Sequence, residues 1–172
     1  MKPERFRTHI EIIHKKWLAD NLCLGNNHMW VDLYTDFFQG MEIYFELKCR
    51  MLGWKPIGKQ TWACREEQIQ EYRNSFGEDN VFWMFLIYAL DRKVKRVKNY
   101  IAKKIIHREL WILPWNFVYK YPSKYTKVGY YRYPKQIDFP DNLKTITIED
   151  MPIHFNDKRI EKLLINSKEI TF

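Results

Sequence analysis

Three residues, Asp32, Glu46 and Lys48, have the types and the spacing for a joint chemical role. Glu46 and Lys48 are two positions apart in an alternating stretch, so a strand there projects both side chains from the same face. Asp32 precedes Glu46 by fourteen positions, with the Gly-containing turn 38–40 between them. In an antiparallel hairpin with that turn, residue 32 falls close to the pairing partner of residue 46. We therefore expect two carboxylates and an ammonium group to lie side by side.

The two carboxylates need a cation between them, because aligned acids on neighbouring strands repel each other. Mg²⁺ takes oxygen ligands in proteins, usually one or two carboxylates together with water and a substrate phosphate. The pattern favours a Mg²⁺ site at Asp32 and Glu46, in which Mn²⁺ substitutes. Lys48 can orient or help deprotonate an attacking water, and it can offset charge that grows on a phosphate. The alternative is a solvent-facing stripe of an amphipathic strand, with Asp36 as a competing acid.

The elements that position these residues follow from the spacing of the apolar side chains. Helices are predicted at residues 3–21, from 61 to the residue before Gly77, at 92–107 and at 157–164. Strands are predicted at residues 29–36, 42–49, 81–90, 110–113, 127–133 and 143–148. The order helix, hairpin, helix, strand predicts an α/β fold with helices on both faces of a small mixed sheet.

The hairpin stretch WVDLYTDFFQGMEIYFELK resembles the PD-(D/E)xK nuclease superfamily, which includes type II restriction endonucleases and archaeal Holliday junction resolvases. Val31-Asp32-Leu33 matches the first acid of the motif, and Glu46-Leu47-Lys48 matches its ExK. Val31 stands where the family often has proline, a departure that the superfamily tolerates. The resemblance covers about the first 115 residues. It implies a restriction endonuclease-like mixed sheet flanked by helices, with residues 1–115 as the nuclease core.

Two helix residues extend the site that the resemblance implies. Gln68, in REEQIQEYR together with Gln70, falls where many members carry a glutamine near the site. Glu11 lies on the first helix, where some members add a third acid, although a plain surface position is the alternative for it. The predicted catalytic residues are therefore Asp32, Glu46, Lys48 and Gln68, and the predicted metal ligands are Asp32, Glu46 and Leu47.

Positive charge is concentrated in residues 92–135, which hold 13 Lys and Arg against one acid, a local balance of +12. The rest of the chain has 16 basic and 20 acidic residues, so the net charge of +8 comes from this segment. Aromatic residues alternate with the charges, as suits contacts to a nucleic-acid backbone and bases. A solvated lysine-rich surface on a β-hairpin is the alternative. The predicted nucleic-acid contacts are Lys93, Lys95, Arg96, Lys98, Lys103, Lys104, Arg108, Lys124, Lys127 and Arg132.

Composition excludes several other classes of protein. The longest apolar run, Val81–Leu90, has ten residues, too few for a membrane-spanning helix, and no secretory signal is visible. Three cysteines without CxxC spacing argue against a disulfide framework and a zinc knuckle, and they favour a reducing cytoplasm. The five histidines are scattered, so a histidine-based metal site has little support.

The function expected from these features is a Mg²⁺-dependent DNA endonuclease. Within the superfamily, a type II restriction enzyme that cuts double-stranded DNA is the first expectation. Because one site cuts one strand, a homodimer is expected. Residues 116–172 are expected to form a β-rich C-terminal extension packed on the core, within one structural domain. The alternatives are a structure-specific junction or repair nuclease of the same fold, and a nucleic-acid-binding protein without catalysis.

Overall fold

Alternating and unbroken apolar stretches form a mixed β-sheet in the computed structural model, which describes residues 3–28, 31–38, 41–51, 61–64, 66–90, 105–120 and 133–169. The helices are α1 (Pro3–Leu22), α2 (Glu66–Phe76) and α3 (Lys158–Glu169). The strands are β1 (Leu33–Phe38), β2 (Met41–Met51), β3 (Thr61–Cys64), β4 (Val81–Leu90), β5 (Ile105–Pro114), β6 (Tyr133–Gln136), β7 (Lys144–Ile148) and β8 (Met151–Phe155). Short 3₁₀ turns lie at Glu78–Asn80 and Trp115–Lys120.

The main sheet has six strands in the order β1-β2-β4-β5-β8-β7. β1 and β2 form an antiparallel hairpin, and β2 runs parallel to β4. Parallel neighbours need a crossover connection, and α2 lies in the segment that joins these two strands. β4 then pairs antiparallel with β5, and β5 pairs parallel with β8. The second sheet pairs β3 with β6.

Helices cover both faces of this sheet, which makes the fold α/β as expected. One face, called here the helical face, packs β1, β2, β4 and β5 against α1 and α3 through residues that include Leu18, Leu22, Phe45, Leu86, Leu163 and Leu164. The other, called here the aromatic face, packs the sheet against α2, β3 and the turn at Trp115–Lys120 through residues that include Trp62, Tyr72, Trp83, Phe85, Trp111 and Trp115. Alternate residues of β4 join the two cores, so Val81 to Tyr88 are all buried.

The C-terminal segment completes the main sheet. Glu149 and Asp150, at φ 48° and 63°, make the tight turn between β7 and β8, where two positive φ angles match the twist of a hairpin. Ile153 of β8 pairs with Leu110 of β5. α3 then packs on the helical face beside α1, and the Ser167 hydroxyl donates a hydrogen bond to the Leu22 carbonyl at 2.9 Å.

Several predicted elements are confirmed. Helix α1 begins at Pro3, β4 spans Val81–Leu90 as predicted, and the predicted strands 42–49 and 110–113 lie within β2 and β5. The predicted C-terminal helix 157–164 begins one residue later and extends to Glu169. None of the helices in the described ranges is long and apolar enough to cross a membrane.

Three predicted boundaries are wrong. Residues 61–64 form β3 rather than the start of a helix, because Trp62 and Cys64 alternate into the aromatic core and the strand pairs with β6. Residues 105–107 belong to β5 and not to a helix, because Ile105 pairs with Leu90; the rest of that predicted helix, 92–104, lies outside the described residues. β1 begins at Leu33, after Asp32, instead of at 29; residues 29 and 30 are outside the described ranges.

Strand β8 was not predicted at all. Pro152 lacks a main-chain donor and argues against a strand, yet it lies within the β7–β8 ladder opposite Thr147. Burial alternates along β8 at Met151, Ile153 and Phe155. Of the predicted strand 127–133, the structure describes Tyr133, at the start of β6, and the rest lies outside the described residues.

Candidate active site

The end of the β1–β2 hairpin brings Asp32 to Glu46. Leu33 pairs with Phe45, so one further step of the antiparallel register sets Asp32 opposite Glu46. The Leu47 main-chain N–H donates a hydrogen bond to Asp32 Oδ2 at 2.9 Å. The Asp32 carboxylate thus accepts a hydrogen bond where the next main-chain bond between β1 and β2 would form. This bond holds the carboxylate against β2.

Glu46 is the buried member of the site, with 5% of its surface exposed. Burial raises the pKa of its carboxyl and the Lys48 ammonium lowers it; together with the raising effects of the Asp32 charge and of a hydrogen bond with Asp32, these bring the pKa to about 7. The two acids therefore interact directly, as the hairpin register requires. A carboxyl group held like this favours its charged form once a cation is supplied.

Lys48 lies beside Glu46 on the aromatic face of β2, and its Nζ is 3.2 Å from Glu46 Oε1. Burial alone lowers the pKa of an ammonium group, but the charges of Glu46, Cys64 and Asp32 outweigh it and raise the pKa of Lys48. The side chain is therefore a fixed cation at neutral pH. Of the three roles considered for Lys48, orientation of water and stabilisation of negative charge suit this state, whereas deprotonation of water does not.

A second lysine, Lys15 of α1, reaches Asp32 from the helical side of the sheet. Its Nζ lies 3.6 Å from Asp32 Oδ1. Residues 10, 14 and 18 of α1 are buried against the sheet, and Lys15 follows this stripe by one position. The sequence did not single out Lys15, because nothing in its spacing relates α1 to the hairpin. A feature of the sequence that could have indicated Lys15 is its position four residues after Glu11, the possible third acid, because residues four apart lie on the same side of a helix.

Glu11, the possible third acid, is exposed on α1. Burial raises the pKa of the Cys49 thiol well above its usual value, and the charges of Glu11 and Asp32 raise it further. The charges of Glu11 and Asp32 are therefore both within electrostatic range of the Cys49 thiol.

Leu47 and Gln68 complete the predicted set. The Leu47 side chain is buried in the core of the helical face, so only its main chain can take part. Its amide points to Asp32, and the carbonyl of a strand residue projects to the same side as its amide. Gln68 lies in α2, the helix that covers the aromatic face where Glu46 and Lys48 project, but its side chain is outside the described part of the chain.

The donor set at this site suits a hard divalent cation. Asp32 and Glu46 supply carboxylate oxygens, and Mg²⁺ uses one or two carboxylates and keeps water on its other positions. Within the described ranges, no group of three or more His, Cys, Asp or Glu side chains is arranged to hold a metal. The two acids thus fit an ion that takes its other ligands from water, main chain and substrate, and they do not form a closed protein cage.

Among the ten predicted nucleic-acid contacts, Arg108 alone lies in the described residues. It belongs to β5, where its Nε donates a hydrogen bond to His14 Nδ1 at 3.2 Å. Its guanidinium lies over the Trp17 ring, 4.3 Å from the centroid. Arg108 is therefore held against α1 by a hydrogen bond and a cation–π interaction, and a nucleic acid would meet only the remaining edge of the guanidinium.

Comparisons with known proteins add little to this geometry. No family model matches the chain, and no solved structure matches it. A 4-alpha-glucanotransferase of Clostridium butyricum is 29% identical over 77 residues, which are 45% of this chain and 15% of that protein. The chain aligns with a small share of the length of this curated relative, and that share assigns no family. Function is therefore inferred from the arrangement of Asp32, Glu46 and Lys48.

Proposed function

We propose that the chain is a Mg²⁺-dependent endonuclease that hydrolyses phosphodiester bonds in double-stranded DNA. The observation that carries this proposal is that Asp32, bonded to the Leu47 amide, lies opposite buried Glu46 across the hairpin, with the Lys48 ammonium 3.2 Å from Glu46. Neighbouring acids are costly in a metal-free site, because like charges repel and the Asp32 charge raises the pKa of Glu46. A divalent cation reverses that cost, and a lysine cation beside it suits a reaction on an anionic phosphate.

Each residue has a distinct role in this proposal. Asp32 and Glu46 would hold Mg²⁺, with the Leu47 main chain on the same strand edge, and Mn²⁺ would substitute. When bound, the metal supplies a Lewis acid for the phosphate and lowers the pKa of water. Lys48 orients the attacking water and offsets the charge that grows on the phosphate oxygens. Gln68, on α2, is proposed to orient the substrate or the water.

The restriction endonuclease-like fold is part of the proposal. The chain order hairpin β1–β2, helix α2 and parallel strand β4 supports it, because the ExK residues then lie on an inner strand beside the strand that follows the crossover. β4 is a rigid neighbour for β2, because it is covered on both faces. A site built on strands keeps its geometry better than one built on loops.

The partner proposed is duplex DNA, bound mainly through the +12 segment at residues 92–135. Cations placed on phosphates release counter-ions and provide affinity that does not depend on base sequence. Within the nuclease class, we propose a type II restriction enzyme that acts as a homodimer, since two sites related by a two-fold axis cut both strands. A junction or repair nuclease would use the same residues on a different substrate.

A cleavage assay with a matched pair of variants tests this function. Purified protein is incubated with supercoiled plasmid in Mg²⁺ or in EDTA, and a gel shift in Ca²⁺ measures DNA binding separately. Glu46→Gln removes the buried acid of the site. Glu42→Gln removes a carboxylate from the same face of the same strand, at an exposed position beside Tyr44.

The proposal expects cleavage in Mg²⁺, none in EDTA, loss of cleavage in Glu46→Gln and activity close to wild type in Glu42→Gln. DNA retardation without any cleavage would assign the chain to nucleic-acid-binding proteins that lack catalysis. Preferential cutting of a four-way junction over plasmid would identify a structure-specific nuclease. Undiminished cleavage by Glu46→Gln would overturn the assignment of the site.

A further inference from the structure

Both oxygens of the Asp32 carboxylate already have partners. The Leu47 amide donates to Oδ2 at 2.9 Å, and the Lys15 ammonium lies 3.6 Å from Oδ1. The amide belongs to the strand β2 and is fixed by the hairpin. The ammonium stands on the end of a long side chain of α1. A cation therefore occupies the oxygen of Asp32 that does not accept from the Leu47 amide.

The two lysines of the site differ in how firmly they are held. Lys48 is on the same strand as Glu46, and its side chain is 21% exposed. Lys15 comes from a separate element, and both Lys15 and Asp32 are more open to solvent, at 28% and 32%. An ion pair with that exposure is weak, because solvent screens it and both side chains lose freedom to form it. Lys15 can therefore leave at little cost, whereas Lys48 cannot.

We propose that Lys15 is an internal counter-ion that holds Asp32 while the site has no metal and competes with the divalent cation for Asp32 Oδ1. This inference rests on the proposed function, since it gives Lys15 a part in the metal site of that enzyme. A divalent cation at Asp32 repels the Lys15 ammonium, so metal binding requires Lys15 to move away. Lys15 is a positioning residue and takes no part in bond cleavage.

If Lys15 competes with the metal, its removal should change the metal affinity in the opposite direction from that expected for a purely structural role. If Lys15 only held Asp32 in place, its removal would weaken metal binding. If Lys15 competes, its removal strengthens metal binding. Because the ammonium moves away, the gain in metal affinity on its removal is limited to the strength of the exposed Lys15–Asp32 ion pair, which corresponds to a change of up to about fivefold in the dissociation constant.

The test is a charge series at position 15, with metal binding by the full chain measured by titration calorimetry. MnCl₂ and MgCl₂ are the probes, in a buffer of low ionic strength without DNA. Lys15→Arg keeps the charge, Lys15→Met removes it but keeps an unbranched stem, and Lys15→Glu reverses it. Lys16→Met is the matched control, because Lys16 is the exposed next residue of the same helix. Thermal unfolding in EDTA verifies that each variant is folded.

We expect the dissociation constant to stay near wild type in Lys15→Arg and Lys16→Met, to fall by up to about fivefold in Lys15→Met, and to fall further in Lys15→Glu. Affinity that is unchanged or weaker in both Lys15→Met and Lys15→Glu overturns the inference. Asp32→Asn separates the two hypotheses. If wild type binds metal and Asp32→Asn does not, the proposed site stands even when the Lys15 series shows no effect. If wild type binds neither ion, both the site and the role of Lys15 are rejected.

Discussion

The Asp32 carboxylate accepts a hydrogen bond from the Leu47 main-chain amide, at 2.9 Å from Oδ2, across the open end of the β1–β2 hairpin. The main-chain pairing of β1 with β2 ends at Leu33, and the Asp32 side chain adds one further hydrogen bond beyond it. The same bond sets the carboxylate beside Glu46. The position of the first acid is therefore a property of the hairpin itself.

Asp32→Asn and Asp32→Ala should separate the structural role of this side chain from its chemical role. Asparagine keeps an oxygen that can accept from the Leu47 amide, so the free energy of unfolding should change little. Alanine leaves that amide without its acceptor, which should cost about 1–2 kcal/mol. Both variants should lose metal binding and cleavage. Urea unfolding and plasmid cleavage measure the two effects; equal stability of the two variants would contradict the role of the hydrogen bond.

Lys48→Ala should reduce plasmid cleavage by on the order of 10²-fold or more, because it removes the cation that orients water and offsets phosphate charge. Mg²⁺ binding, measured by calorimetry, should persist, since Asp32 and Glu46 remain. Lys162→Ala, at an exposed position of α3, is the control for removal of a lysine. Cleavage by Lys48→Ala at the wild-type rate would show that Lys48 belongs to a solvent-facing stripe of the strand and has no role in catalysis.

Glu46→Gln should stabilise the metal-free chain at alkaline pH. The pKa of Glu46 is raised from 4.5 to about 7, so between those values the unfolded chain has released the proton and the folded chain still holds it. Stability therefore falls as the pH rises from 4.5 to 7, and the loss persists above 7. Glutamine mimics the protonated acid and avoids this loss, which we expect to reach about 3 kcal/mol.

Thermal and urea unfolding in EDTA at pH 4.5 and pH 8 measure the effect. The two proteins should be about equally stable at pH 4.5, and Glu46→Gln should be the more stable at pH 8. A variant less stable than wild type at pH 8 would show that Glu46 contributes more as the ion-pair partner of Lys48 than it costs as a buried acid.

His14 should make the chain sensitive to acid. Burial, and then the charge of Arg108, lowers the pKa of His14 from 6.5 to about 3. The unfolded chain takes up a proton as the pH falls below 6.5, but the folded chain does not. The contribution of neutral His14 is therefore complete above pH 6.5 and declines by about 1.4 kcal/mol per pH unit toward pH 3.

His14→Asn removes this titration while it keeps an oxygen near Nδ1 for the Arg108 Nε–H. Its unfolding free energy should be lower than that of wild type at pH 7.5, because a buried ring is removed. Between pH 6.5 and 4.5 the difference between the two proteins should shrink. Parallel profiles over that range would show that His14 does not stay neutral in the folded chain.

The basic segment at residues 92–135 should determine how DNA affinity depends on salt. Lys103→Ala combined with Lys104→Ala should flatten the plot of log affinity against log salt by about 0.9 for each phosphate that is no longer neutralised. Fluorescence anisotropy with duplex DNA in Ca²⁺, at several salt concentrations, measures the slope. Thermal unfolding verifies the fold, since weaker affinity alone also follows from misfolding. An unchanged slope would place the DNA on another surface.

Local pattern in the sequence was enough to predict the hairpin and the proximity of Asp32, Glu46 and Lys48 within it. Side chains alternate along a strand with a period of two, so Glu46 and Lys48 had to share a face. Phe38 pairs with Met41 across the turn, and a register shift between Thr35 and Phe38 then sets Leu33 against Phe45, which puts residue 32 opposite residue 46; the sequence predicted the hairpin but not this shift. β4 was also evident, because a strand covered on both faces is apolar at every position. These relations involve residues close in the chain, where geometry leaves few alternatives.

Tertiary packing alone decided the rest. Docking of α1 brings Lys15 to Asp32, and the same packing buries His14 beside Arg108, which is 94 positions away in the chain. The burial that raises the pKa of Glu46 depends on segments distant in the sequence that pack over β2. β8 forms because it can pair with the edge of β5, although Pro152 by itself argues against a strand at this place in the sequence. Contacts between separate elements depend on which faces pack together, and the spacing of residues within one element holds no record of that choice.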